Sequence, residues 1–121
     1  MAKHVLVVDD SSAVRQSVSF VLTQAGYSVA EAEDGVQAMD KLGDPKPDLI
    51  VTDVNMPNMD GIELVRKVRD QDETKYVPVV VLTTESQDSR MEEGKSAGAT
   101  GWIVKPFDSD KLLNVVRKLI G

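Results

Sequence analysis

Short apolar runs and helically spaced stretches alternate along the chain. The first run, Val5-Leu6-Val7-Val8, breaks at Asp9-Asp10. Four consecutive strand-favouring apolar residues predict a strand covered on both faces, as central parallel strands are. Ser11 and Ser12 offer caps for the next helix. That helix sets Val14, Val18, Val21, Leu22 and Ala25 on one side and stops at Gly26. A second strand reads from Tyr27 to Ala32, and Asp34-Gly35 then opens a short helix carrying Val36, Met39 and Leu42, closed by Gly43 and two prolines. The third run, Leu49-Ile50-Val51, ends at Thr52-Asp53. A loop from Asn55 to Gly61 leads into a stripe of Ile62, Val65 and Val68. Val77 to Leu82 forms the fourth run, ending at Thr83-Thr84, and Trp102-Ile103-Val104 the fifth, ending at Lys105-Pro106. The last helix carries Leu112, Leu113, Val116, Leu119 and Ile120, with Asp108 or Ser109 near its start.

This alternation predicts an α/β fold: a doubly wound, five-stranded parallel sheet with helices on both faces. The order 2-1-3-4-5 is one of the common orders for such sheets. One segment is weak. Between Glu85 and Ala99 the apolar residues are few, and Gly94 falls inside the stretch, where glycine costs about 1 kcal/mol relative to alanine. The expectation is a helix from about Ser86 to Ala97 that packs poorly and moves easily, with a plain surface helix as the alternative.

Composition narrows the function. The 121 residues suit one domain and leave no room for a second. Lys and Arg number 14 against 20 Asp and Glu, a formal charge of −6. So acidic a chain lacks the clustered cations that grip a phosphate backbone, and nucleic acid is not an expected partner. There is no cysteine, which excludes disulfides, thiolate metal sites and a thiol nucleophile. No apolar run approaches the roughly 18–20 residues that span a bilayer, and the start shows no signal-peptide pattern. A cytoplasmic protein without membrane contact is expected.

The polar residues carry the chemistry. Asp9-Asp10, Asp53, Thr83 and Lys105 each follow an apolar run, at the strand ends where open α/β sheets hold their ligands. Any one of them has a plain structural explanation, as a cap, a strand residue or a solvated charge; four converging on one crevice favour function. Two unit charges about 4 Å apart repel by roughly 4 kcal/mol at an effective dielectric of about 20, so three carboxylates either share protons or hold a cation. An oxygen-only set suits Mg²⁺ or Mn²⁺, and zinc is disfavoured because the single His, His4, precedes the first strand. A hydroxyl and an ammonium facing such an ion could hold the oxygens of a transferring phosphoryl group. A carboxylate can attack phosphorus to form an aspartyl phosphate. Asp53, alone on its strand end, is the best nucleophile, and Asp9-Asp10 the best metal pair.

With these residues in view, the sequence resembles the receiver domain of two-component response regulators over its whole length. The motifs are Val8-Asp9-Asp10, Thr52-Asp53-Val54-Asn55-Met56-Pro57-Asn58-Met59-Asp60-Gly61, Leu82-Thr83-Thr84 and Val104-Lys105-Pro106-Phe107. The resemblance implies a flavodoxin-like and CheY-like fold, and an Asp53 that accepts phosphate from a histidine kinase. It implies Mg²⁺ held by Asp10, Asp53 and the Asn55 carbonyl, with Asp9 acting through water. Thr83 and Lys105 would contact the phosphoryl oxygens, and Lys105–Pro106 would be cis. Trp102 occupies the switch-aromatic position, where Tyr or Phe is commoner, and a buried core residue is the alternative role. Thr84 stands where the family prefers Ala or Gly, which implies tighter access. Asn55 and Glu85 lie where the family tunes phosphoryl hydrolysis.

The chain stops just after its last helix, so residues 1–121 are expected to be a receiver without an output domain, closest in pattern to the chemotaxis (CheY-like) regulators. Expected partners are a CheA-type kinase, a downstream protein such as the flagellar motor switch, and a phosphatase. A receiver of another phosphorelay, or one trimmed from a longer regulator, is the alternative. No separate substrate turnover is expected. A haloacid-dehalogenase-type phosphatase needs a second Asp two residues past its nucleophile, where this chain has Asn55, and places its acidic pair later. A receiver fold that no longer accepts phosphate usually lacks the Asp or the Lys. A flavodoxin-like cofactor protein needs a phosphate loop after the first strand, where Asp9-Asp10 would repel FMN.

Overall fold

The computed structural model describes residues 2–43, 45–84 and 88–121, without the side chains of residues 84 and 88–91. The five apolar runs form β1 (His4–Val8), β2 (Ser28–Ala32), β3 (Leu49–Asp53), β4 (Val79–Thr84) and β5 (Gly101–Lys105). They pair in parallel in the order β2-β1-β3-β4-β5. Between and after them lie α1 (Ser12–Gln24), α2 (Gly35–Asp40), α3 (Gly61–Asp70), α4 (Asp88–Ala97) and α5 (Ser109–Ile120). The expected fold and strand order are both present.

The unbroken apolar runs follow from burial on both faces. Leu6, Val8, Ile50, Val79 and Val81 meet Ala38 of α2 and Ile62, Leu64, Val65 and Val68 of α3. Their neighbours Val5, Val7, Leu49, Val51, Val80, Leu82 and Ile103 meet Val18 and Leu22 of α1 and Leu112 and Val116 of α5. Because side chains alternate faces along a strand, each run feeds two cores. A fully buried Val, Leu or Ile contributes about 1.5–3 kcal/mol relative to exposure, so the sheet is a rigid platform for whatever its edge carries.

Polar caps set where the helices begin. Ser11 Oγ accepts from Val14 N, and the carboxylates of Asp34, Asp60 and Asp108 accept from Gln37, Glu63 and Lys111 N. Each satisfies a backbone N–H that the first turn leaves unpaired. Around α2, Leu42 is buried and Met39 packs against the core as expected, but Val36 does not. Gly35, Ala38 and, just past the helix, Leu42 face inward, whereas Val36 is 48% exposed. Gly35 packs closely against Met59.

Helix α4 has few apolar residues, as expected, but Gly94 has a packing partner. It is buried against the indole of Trp102, and a Cβ there would lie 2.5 Å from Trp102 Cη2. The glycine that weakens the helix therefore makes room for the ring. Arg69 of α3 fastens the far end of α4, donating to Gly98 O (3.0 Å), Val77 O (2.6 Å) and Thr100 Oγ1 (3.3 Å).

Candidate functional site

Asp9, Asp53 and Lys105 each stand two residues beyond Val7, Val51 or Ile103, which are buried together on the α1 and α5 side. A period-two pleat therefore aims all three side chains the same way at the carboxyl edge of the sheet. Lys105 Nζ lies 3.1 Å from Asp53 Oδ1 and 3.5 Å from Asp9 Oδ2. Asp10 completes the group: one carboxylate oxygen from each of Asp9, Asp10 and Asp53 lies within 4.8 Å of the others. Of the four strand ends expected to converge, the first, third and fifth meet here.

Asp9 is 1% exposed. Its Oδ1 accepts from Ser11 N at 2.9 Å, tying it to the start of α1, while its buried Oδ2 makes no hydrogen bond among the described residues. Arg15, which the sequence did not single out, donates to Asp9 O at 2.8 Å and pairs with Glu31 at 3.0 Å. It thereby braces the turn that holds both carboxylates. Asp10 is exposed at the mouth.

Asp53 Oδ1 accepts from Val54 N at 2.9 Å as well as from Lys105. Burial pushes its carboxyl pKa up. Lys105 opposes that shift, and the neighbouring charge of Asp9 reinforces it. Desolvation and carboxylate repulsion thus outweigh the one ammonium. On the other side of Asp53, the backbone of Gly61 approaches so closely that an added Cβ would lie 2.0 Å from Asp53 O.

Thr83 is fully buried, one residue past Leu82, the register partner of Asp53. Asn55 is exposed in the loop after β3. The Lys105–Pro106 bond is cis. Trp102, half-buried, lies against Gly94. Glu85 and the Thr84 side chain, both singled out in the sequence, lie outside the described residues.

Lys105 is the ammonium that offsets the cluster's repulsion. Lys105→Ala is expected to destabilise the protein by about 1–2 kcal/mol in EDTA, below the loss for a fully buried pair because Lys105 keeps 23% exposure. Mg²⁺ is expected to restore most of that loss. Calorimetric melting with and without Mg²⁺ checks this, and an unchanged midpoint in EDTA would show that the lysine offsets nothing.

The donor set fits a hard divalent cation. It consists of oxygen alone, it brings three carboxylates together, and among the described residues the buried Oδ2 of Asp9 makes no hydrogen bond, only the 3.5 Å ion pair with Lys105. Asp9, Asp10 and Asp53 are the residues that would hold such an ion.

A five-stranded doubly wound sheet thus gathers an acidic triad and a lysine at one edge. The chain belongs to the response regulator receiver domain family, whose model matches residues 5–117. Receiver domains are signalling switches of two-component systems, phosphorylated by histidine kinases, and they bind Mg²⁺ at an acidic aspartate cluster. Chemotaxis protein CheY4 of Vibrio cholerae is 45% identical, with a TM-score of 0.93 over 99% of this chain and 100% of that one. The receiver domain of the sensor histidine kinase PA1611 from Pseudomonas aeruginosa PAO1 was solved with a magnesium ion coordinated in its active-site cleft. It is 27% identical, with a TM-score of 0.92, over 100% of this chain and 99% of that one. Response regulator MprA of Mycobacterium bovis is 41% identical over 120 residues. That match covers 99% of this chain, which spans only 51% of the length of MprA. No helix among the described residues is long and apolar enough to cross a membrane.

Proposed function

We propose that Asp53 is the phosphoryl acceptor of a signalling switch that works by protein docking. The observation that carries this reading is the position of Lys105 Nζ, shared between Asp53 Oδ1 and Asp9 Oδ2 beside Asp10. A kinase phosphohistidine presents its phosphorus to the Asp53 carboxylate. The new P–O bond forms as the P–N bond breaks, and the electron pair stays on the imidazole nitrogen. Asp9, Asp10, Asp53 and the Asn55 carbonyl would hold Mg²⁺, which neutralises charge on the phosphoryl oxygens when bound. Lys105 leaves its pairing with the carboxylate to meet those oxygens, and Thr83 contributes its hydroxyl. Trp102, with Thr83, passes the change to the surface that partners read, and Asn55 and Glu85 set how long the phosphoryl group lasts.

The resemblance to CheY4 over the whole of that protein supports a role in chemotaxis, with a CheA-type kinase and the flagellar motor switch as partners. A second reading, a receiver belonging to a longer regulator, is supported by the MprA relatives, of which the chain spans about half. Incubation with Mg²⁺ and a small acyl phosphate is expected to add one phosphoryl mass to the protein, and EDTA to prevent it. A mass that never changes would refute the acceptor reading. To separate the two roles, a flagellar-switch peptide is titrated with and without beryllofluoride. Tighter binding to the beryllofluoride form supports chemotaxis, and equal binding favours the longer regulator.

A further inference from the structure

The loop after β3 is pinned at a point the phosphoryl chemistry does not explain. Asn58 Nδ2 donates to Asp34 Oδ2 at 2.8 Å, joining the loop to the start of α2 across 24 positions of sequence. Beside this bond, Gly35 N donates to Met59 O at 3.1 Å. Gly35 also lies so tightly under Met59 that a Cβ there would sit 2.6 Å from its Cγ. Asn58 holds a left-handed backbone, φ 69°, the one positive value at a non-glycine position among the described residues. Asparagine tolerates that conformation better than most side chains. The other oxygen of Asp34 is already engaged in capping α2, at 2.9 Å from Gln37 N. Gln37 N–H first, and the Asn58 amide second, hold the Asp34 carboxyl below its ordinary pKa, so it is an anionic acceptor. Two fixed points therefore bracket Asn55. One is the contact of Gly61 with the Asp53 carbonyl, together with Gly61 N donating to Val54 O at 2.8 Å; the other is the tie at Asn58 and Met59.

We propose that Asp34 and Asn58 are positioning residues for the acidic cluster, their hydrogen bond fixing the path of the 55–60 loop and with it the Asn55 carbonyl. The proposal rests on the metal reading given above. Residues that hold ligands in place typically change metal affinity by about 10–100-fold when lost. The lower figure suits a single side-chain bond.

Two variants remove the bond from opposite ends. Asn58→Gly keeps the left-handed backbone and drops the amide. Asp34→Ser keeps a helix cap but is too short to hold Asn58 as well. Each is expected to weaken Mg²⁺ binding about tenfold by titration calorimetry, and the two together no more than either alone. The exchange Asp34→Asn with Asn58→Asp keeps the net charge and reverses the donor, and it is expected to restore affinity. Lower melting midpoints with unchanged Mg²⁺ affinity in both variants would reduce the tie to a stability element and overturn the proposal alone. A wild-type protein that binds no Mg²⁺ would overturn the metal reading and this proposal with it.

Discussion

Asp53→Asn protein, incubated with Mg²⁺ and an acyl-phosphate donor, is expected to gain no phosphoryl mass, while its melting midpoint in EDTA rises by a few degrees. The first effect is complete because the amide is no nucleophile toward phosphorus. The second follows from charge. Asp9, Asp10, Asp53 and Lys105 together carry three carboxylates and one ammonium, formally −2, and the substitution brings this to −1. The carbonyl oxygen of the introduced amide can still accept from Val54 N, so little hydrogen bonding is lost. In a domain of this length about 1 kcal/mol moves the midpoint by roughly 4 °C.

The pH dependence has a definite sign. The Asp53 pKa is raised in the folded state, above the ordinary value of 3.8. Between that value and the higher folded one, the native state binds more protons than the unfolded chain, so stability falls as pH rises through the window. The penalty is complete above the folded pKa and absent well below 3.8. The midpoint gain of Asp53→Asn should therefore be full at neutral pH and vanish toward pH 3. A gain that persists undiminished in acid would mean that repulsion is not its origin. Phosphorylation of the variant at another residue would remove Asp53 from its role.

Gly61→Ala is expected to be among the most damaging single-methyl additions to the chain. The new Cβ would lie 2.0 Å from Asp53 O, 3.0 Å from its carbonyl carbon and 3.2 Å from Val54 Cα. All three are backbone atoms, so no rotamer change relieves the clash. Either α3 moves away, opening the core around Ile62 and Val65, or the end of β3 shifts and takes the Asp53 carboxylate with it. Alanine gains up to about 1 kcal/mol as a helix former, but overpacking costs about 1–3 kcal/mol and rises when backbone must yield. A net loss of roughly 2 kcal/mol or more is expected in denaturant titration, with slower phosphorylation in whatever remains folded. A variant as stable and as readily phosphorylated as wild type would show that β3 and α3 are more loosely joined than these distances allow.

The strand ends were legible because a parallel sheet writes itself as apolar runs, and the polar residues that close each run fall at the ligand edge. Asp9, Asp53 and Lys105 needed only that rule. The residues that support them did not follow it. Arg15 sits within an amphipathic helix, and nothing in its spacing marks it as the brace of Asp9. The partnership of Asp34 with Asn58 depends on a left-handed turn that brings a loop back to a helix start, a fact of three dimensions. Helix α2, with six residues, offers too few turns for its apolar stripe to be phased, so Val36 was expected inside and lies outside. Gly94 read as a defect in a weak helix because its partner, Trp102, is contributed by the next strand.

That last pairing makes residues 94 and 102 share one fixed volume. A bulkier group at 94 is compatible with this architecture only if the ring at 102 shrinks or leaves, so related sequences should vary at the two sites in concert. Fluorescence from the single indole would report any sliding of the helix on which Gly94 rides, giving the protein an optical gauge of its own.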